Sequence, residues 1–157
     1  MRIVQIIDSL DVGGAEQMAI NYANALSKEI NFSAVVATRK EGDLKNKIEK
    51  GVDYLFLNKK ATMDWKAVFK LKEYCKINKV QFLQPHSSSY FLAFLVKLVY
   101  PRVQIIWHDH NGLSEFLSSQ KWIPLKVASF FFKGIIVVNY QLKNWAIKEL
   151  NCKHVIY

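Results

Sequence analysis

Three short stretches of this 157-residue chain carry residues able to do chemistry. The first is Asp8-Ser9-Leu10-Asp11-Val12-Gly13-Gly14-Ala15-Glu16, where turn formers and a double glycine interrupt an apolar run. The second is Gln84-Pro85-His86-Ser87-Ser88-Ser89, and the third is Trp107-His108-Asp109-His110-Asn111-Gly112. Without a Cβ, Gly13 and Gly14 let a ligand come close to the main chain. An imidazole such as His108 can donate a hydrogen bond to a hydroxyl or adjust its charge near a diphosphate. His108 and His110 flanking Asp109 raise the question of a metal, but no second cluster completes a ligand set, so none is expected. The structural alternatives are a tight turn at the glycines, a strand-capping histidine, and serines that merely start a helix.

The elements around these stretches follow from apolar periodicity. Residues 3–7 form a nearly continuous apolar run, as in a strand buried on both faces of a parallel sheet. From Ala15 the period becomes helical, with Ala15, Met18, Ala19, Tyr22 and Leu26 on one side. Strand, glycine loop and helix N-terminus in succession direct free N–H groups and a positive dipole end at one spot, which suits a phosphate. Further strands are expected at residues 32–38, 52–57, 80–84, 103–107 and 135–138, with a last one beginning at 154–157. Helices are expected at 42–50, from Asp64 as cap to about 78 with Trp65, Val68, Leu71 and Cys75 inward, at 90–100, in the apolar segment 122–132, and at 141–150. This alternation predicts an α/β, doubly wound, mostly parallel sheet with right-handed crossovers. Ligands of such sheets bind at the carboxyl ends of the strands, where strand order reverses. The glycine, His86 and His108 loops should all open on that edge around a shared pocket.

Composition narrows the classes. An apolar fraction of 51% and an aromatic fraction of 13% exclude a disordered chain. Cys75 and Cys152 match no metal or redox spacing. Asp8 and Asp11 interrupt the first apolar run too early for a signal peptide, and no run approaches a membrane span. The expectation is a cytoplasmic protein, soluble or peripheral on the inner face of the membrane. The net charge of +9 is uneven, with −2 over residues 1–38, +6 over 39–80 and +5 over 81–157. No nucleic-acid motif accompanies it, so nucleic acid is not an expected partner and ranks well below an anionic membrane surface. The apolar segments 90–100 and 122–132 read first as buried crossover helices. The alternative is that residues 113–133, with Phe116, Leu117, Trp122, Ile123 and 130–132 beside Lys121, Lys126 and Lys133, touch such a membrane.

The string D-S-L-D-V-G-G-A-E-Q, followed by an Ala/Asn-rich helix, resembles the N-terminal signature of the family 4 glycosyltransferases of GT-B fold. W-H-D-H-N-G and Q-P-H-S-S-S-Y resemble that family's histidine-bearing strand ends. The resemblance implies the N-terminal, acceptor-binding Rossmann-like half (residues 1–157) of a retaining enzyme that needs no metal or cofactor, with a nucleotide diphosphate sugar as donor. It implies Gly13 and Gly14 at the donor diphosphate, His108 and, less directly, Asp109 at the reacting sugar, and Glu16, His86, Ser87 and Asn111 toward a glycan or lipid-linked acceptor. Envelope polysaccharide synthesis is the implied setting. The family's second, donor-binding domain has no counterpart here, so the chain alone should not turn over. His110 is given no role, and Asn139 departs from the serine often found there in relatives. Two other classes stay open. One is a glycan- or partner-binding half-domain. The other is a dinucleotide oxidoreductase, against which stand the missing G-x-G-x-x-G and a second strand ending in Thr38-Arg39-Lys40 without the ribose-binding acid.

Overall fold

The computed structural model describes residues 1–110 and 123–157. Seven parallel strands form one sheet in the order β3-β2-β1-β4-β5-β6-β7. They are β1 (Arg2–Ser9), β2 (Phe32–Lys40), β3 (Asp53–Phe56), β4 (Phe82–Pro85), β5 (Gln104–Asp109), β6 (Phe132–Val137) and β7 (Val155–Ile156). The described helices are α1 (Gly14–Ser27), α2 (Trp65–Ile77), α3 (Tyr90–Val99), α4 (Ile123–Ser129) and α5 (Tyr140–Glu149). The chain runs outward from β1 through β2 to β3, then returns to β1's other side and continues through β4 to β7. Strand order therefore reverses between β1 and β4, which is where such sheets open a crevice.

Strand alternation divides the core. Val4 and Ile6 of β1 pack with Ala34 and Val36 against Val68, Leu71 and Cys75 of α2 and Leu92 and Val96 of α3. Ile7, Val35 and Ala37 face the other way, onto Ala19, Ile20 and Ala23 of α1. Two expected helix faces shift. Met18 is exposed because α1 presents the Ala19–Ile20–Ala23 side to the sheet, where small side chains let the helix lie close. Trp65 is 47% exposed and leans on Phe69 outside the core, while Ala67 and Val68 of the same turn are the residues buried against the sheet. The segment expected as a helix at 42–50 is a 3₁₀ turn, Asp43–Lys47, that buries only Leu44.

Capping explains two boundaries. Asp64 accepts from the Ala67 N–H at 3.0 Å and starts α2 where the sequence places it. Asn139 accepts from the Leu142 N–H at 2.8 Å and starts α5. The departure from serine is thus a change between two good caps. Asn139→Ala should lower stability by about 1 kcal/mol and Asn139→Ser should be nearly neutral, as read by urea unfolding.

Candidate functional site

The carboxyl edge of β1 is organised by Asp8, which the sequence presents only as a turn former. The β1–β2 register slips between Ile7 and Ser9, which pair with Ala37 and Lys40. There the Thr38 hydroxyl donates to Asp8 Oδ1 at 2.6 Å. Across the switch point, Ser88 donates to Oδ2 at 2.6 Å and Ser89 to Oδ1 at 3.2 Å. The serine side chains after β4 therefore serve Asp8 rather than the helix, because α3 starts at Tyr90 and Ser89, in the N-cap position, makes no side-chain cap hydrogen bond. Burial alone would push the Asp8 pKa up. The hydrogen bonds from Ser88 and Thr38, the nearby Lys59 ammonium and the Ser89 hydroxyl outweigh it and hold the carboxyl below its ordinary value. Lys59, only 6% exposed, has its own pKa lowered chiefly by burial.

The glycine loop stands beside this hub, and its two glycines differ. Gly13 is the N-cap of α1 in an extended conformation, and a Cβ there would run into the Glu16 carboxylate, which folds back over it. Glu16 thus sits in the first turn, where the helix dipole favours a negative charge. Among the described residues a Cβ at Gly14 would meet nothing within 4 Å, so no packing among them demands glycine there.

Three imidazoles meet on the α1 side of the same edge. A bridge between His86 and His108 continues the pairing of β4 and β5. Ring centroids lie 5.1 Å apart for His86–His108, 5.1 Å for His86–His110 and 4.0 Å for His108–His110. Tyr22 of α1 meets His108 edge-on at 5.5 Å, tying the helix behind the glycine loop to the histidines. His86 Nε2 lies 2.8 Å from Gln5 Oε1, and the Gln5 amide donates to Gln84 Oε1 at 3.1 Å. With Gln5 so oriented, His86 carries its proton on Nε2 and offers Nδ1 to His110 Nε2, 2.8 Å away. His108 Nδ1 is buried without a hydrogen-bond partner among the described residues.

Several expectations are corrected here. His108 and Asp109 belong to β5 itself rather than to a loop, in register with Ile136 and Val137 of β6. All three loops do lie on one edge, as expected, but His86 is wholly buried, His108 is 3% exposed and Asp109 1%. They are covered rather than facing an open pocket. The premise that nothing completes a ligand set around His108 and His110 fails, because the fold brings His86 to them. Ser87 serves the architecture through its backbone. Its φ of 47° lies in the left-handed region, and its carbonyl accepts from Trp107 Nε1 at 2.9 Å. Asn111 lies outside the described residues. From sequence, Gln5, Tyr22 and Thr38 have no part in the site, Asp8 only that of a turn former, and His110 none beyond the metal question. Only the H-x-H spacing and the polar Gln5 within an apolar strand hinted at any of them.

Burial lowers the His86 pKa well below its ordinary value, aided by the two neighbouring rings. Burial likewise brings His108 down to about 4, and lowers His110. The unfolded chain therefore binds protons at higher pH than the folded one. The stability these neutral rings contribute is complete above about pH 6.5 and is lost as pH falls toward the folded values. Asp8, shifted down as a carboxyl, adds a loss only at lower pH, below about 4. The melting temperature should fall from about pH 7.5 to about pH 5, and His108→Gln should flatten that slope. A flat wild-type profile would overturn the assignment of neutral rings.

The chain resembles solved glycosyltransferases. Anabaena Alr3699/HepE, solved in complexes with UDP and with UDP-glucose, matches with TM-score 0.71 at 15% identity over 99% of this chain and 43% of that one. A glycosyltransferase from Rickettsia africae ESF-5 matches with TM-score 0.69 at 14% identity, over 99% of this chain and 42% of that one. The likeness is one of fold, and the chain spans less than half the length of either. No curated protein matches its sequence. Residues 12–157 match the family model for Glycosyltransferase Family 4, beginning just before the double glycine and taking in both histidine stretches. The chain, a Rossmann-like domain of GT-B type, belongs to Glycosyltransferase Family 4.

Proposed function

We propose that this domain is the acceptor-side wall of an enzyme that transfers a sugar from a nucleotide diphosphate sugar to a glycan or lipid-linked acceptor in envelope polysaccharide synthesis. The observation that carries the reading is the N-terminus of α1 at the switch point. Its first N–H groups have no intrahelical partner, and among the described residues nothing lies within 4 Å of where a Cβ on Gly14 would be. A diphosphate approaching over Gly14 would meet the positive end of the helix, and that interaction would strengthen as charge builds on the leaving group. The wild-type chain alone should be inactive, since one wall neither orders two substrates nor excludes water.

The site roles we assign rest on the family resemblance, and the α1 N-terminus supports them. Gly13 and Gly14 take the donor diphosphate, and Glu16 swings off Gly13 to reach an acceptor hydroxyl. His108 and Asp109 stand nearest the reacting sugar once the edge is uncovered, with His86 behind them. Ser87 takes part in acceptor binding, and Asn111, outside the described residues, is given the same role on the family resemblance alone. Buried as it is, His86 acts on a ligand through His110 and His108 rather than by touching it. Among the described residues no helix is long and apolar enough to cross a membrane. The membrane-facing stretch falls partly outside those residues. Within them Ile123, Val127 and Phe130 are exposed beside Lys126 and Lys133. A bilayer holding the acceptor would rest on this side of α4.

Calorimetric titration of the parent reading frame with a panel of nucleotide diphosphate sugars tests the reading, and silence from all of them would refute it. Gly14→Ala separates the ligand's need from the fold's. It should weaken donor binding about tenfold while leaving stability unchanged or raised by about 0.4–1 kcal/mol. For the membrane, co-sedimentation with anionic vesicles at low salt should retain the protein, and Phe130→Ser should release it. Wild-type protein left in the supernatant would remove that part of the proposal.

A further inference from the structure

The three imidazoles have a property that sugar transfer does not use. His86, His108 and His110 each place a ring nitrogen within 4.8 Å of the others, on two adjacent parallel strand ends. Each supporting feature of a metal ligand is already in place for His86. Its Nε2–H is held by Gln5 Oε1, which is held in turn by Gln84, and this leaves the Nδ1 lone pair pointing at His110. His108 Nδ1, buried without a partner among the described residues, is a nitrogen whose hydrogen-bonding capacity the fold leaves unmet. An orphaned buried nitrogen beside two others in hydrogen-bond contact is costly to keep unless something is bound there.

We propose that His86, His108 and His110 form a three-imidazole site for a borderline divalent transition-metal ion, Zn2+ above Mg2+ or Ca2+. The donor set makes the selection. Three neutral nitrogens and no carboxylate suit Zn2+, Co2+, Ni2+ or Cu2+, and offer little to hard cations that want oxygen. Tetrahedral Zn2+ with bonds of about 2.0–2.1 Å sets its ligand nitrogens about 3.3 Å apart. The His86–His110 pair at 2.8 Å has to open slightly, and the widest pair has to close from within 4.8 Å. Rotation of the partly exposed His110 ring opens the first of these, and small adjustments of the rings close the widest. The proton on His110 Nε2, which now bridges to His86, moves to His110 Nδ1, so three neutral rings present three lone pairs with no net loss of a proton. A fourth position is left for water or a ligand hydroxyl, and the ion pins the ends of β4 and β5 together. This inference is independent of the sugar-transfer reading.

The test uses the chain without a histidine tag, stripped with chelator, and Co2+ as the probe. One Co2+ per chain should bind with the intense visible bands of a tetrahedral site. Zn2+ should displace it and Mg2+ should not. His110→Ala, chosen because that ring is the least buried of the three, should weaken binding by more than the roughly ten- to hundredfold that losing a supporting hydrogen bond costs. His154→Ala, at the remote β7 edge, should bind like the wild type. A readout needing no variant is the imidazole nitrogen resonances of histidine-labelled wild-type protein. Zn2+ should shift those of His86, His108 and His110 and leave His154 in place. Absence of these shifts, Co2+ binding unaltered in His110→Ala, or binding lost in His154→Ala would each overturn the site.

Discussion

The Asp8 carboxylate is the constraint on which this edge of the sheet depends. β1 and β4 pair within the sheet, but strand order reverses between them, so the chain segments leaving their carboxyl ends part and open a crevice there. Asp8 spans that crevice by accepting from Thr38 on one side and from Ser88 and Ser89 on the other. Hydroxyl donors to an ionised acceptor are stronger than neutral pairs, and a half-buried carboxylate can keep its charge only with such company. Lys59 supplies the compensating charge from the end of β3. The Ser87–Ser89 turn is fixed by this arrangement, and with it the direction in which His86 leaves β4. The positively twisted backbone at Ser87 is held by Trp107, which packs on the α3 side while His108, the next residue, faces the α1 side.

The imidazole layer follows from that geometry. Strand alternation sends His108 to the face where His86 already lies, and His110 follows two residues later. Stacked rings cannot all be charged, because each proton would face two neighbours in a desolvated site. The fold therefore fixes three neutral bases in contact, with Gln5 as anchor. A polar side chain in the middle of β1 would be a liability in a wholly apolar strand. Here it sets the tautomer of the His86 ring.

Much of this architecture was legible in the sequence, because parallel strands buried on both faces and amphipathic crossover helices leave clear periodic patterns. The glycine loop, the His86 and His108 strand ends and the Asp64 cap all lie where the pattern puts them. What local pattern could not reveal is which residues meet across strands. Asp8 looks like a turn former until Ser88, eighty residues later, is brought to it. His110 looks idle until β4 places His86 against it. The burial of His86 and His108 was equally hidden, since a histidine at a strand end reads as exposed unless the packing of Tyr22 and the neighbouring rings is known. The error over the inward face of α1 has a similar origin. Met18 is the larger apolar residue, but small Ala19 and Ala23 let the helix approach the sheet, and approach decided the face.

The charges around the glycine loop complete the picture. Asp11 is paired with Lys40 at 3.0 Å, Arg39 stands 3.9 Å from Asp8, and Glu16 lies over Gly13. The N-terminus of α1 is thus already served by a carboxylate of the chain's own, and any anion docking there competes with Glu16 for the same dipole. Displacing Glu16 costs only a rotamer change, because the side chain is half-buried and held by no salt bridge among the described residues. In the proposed donor site, an incoming diphosphate would take the place of the Glu16 carboxylate and free it in the same movement. A Cβ at Gly13 would collide with that carboxylate, whereas one at Gly14 would meet nothing among the described residues within 4 Å. The proposed exchange therefore has room for each of its two occupants, one glycine apart, at a single helix end.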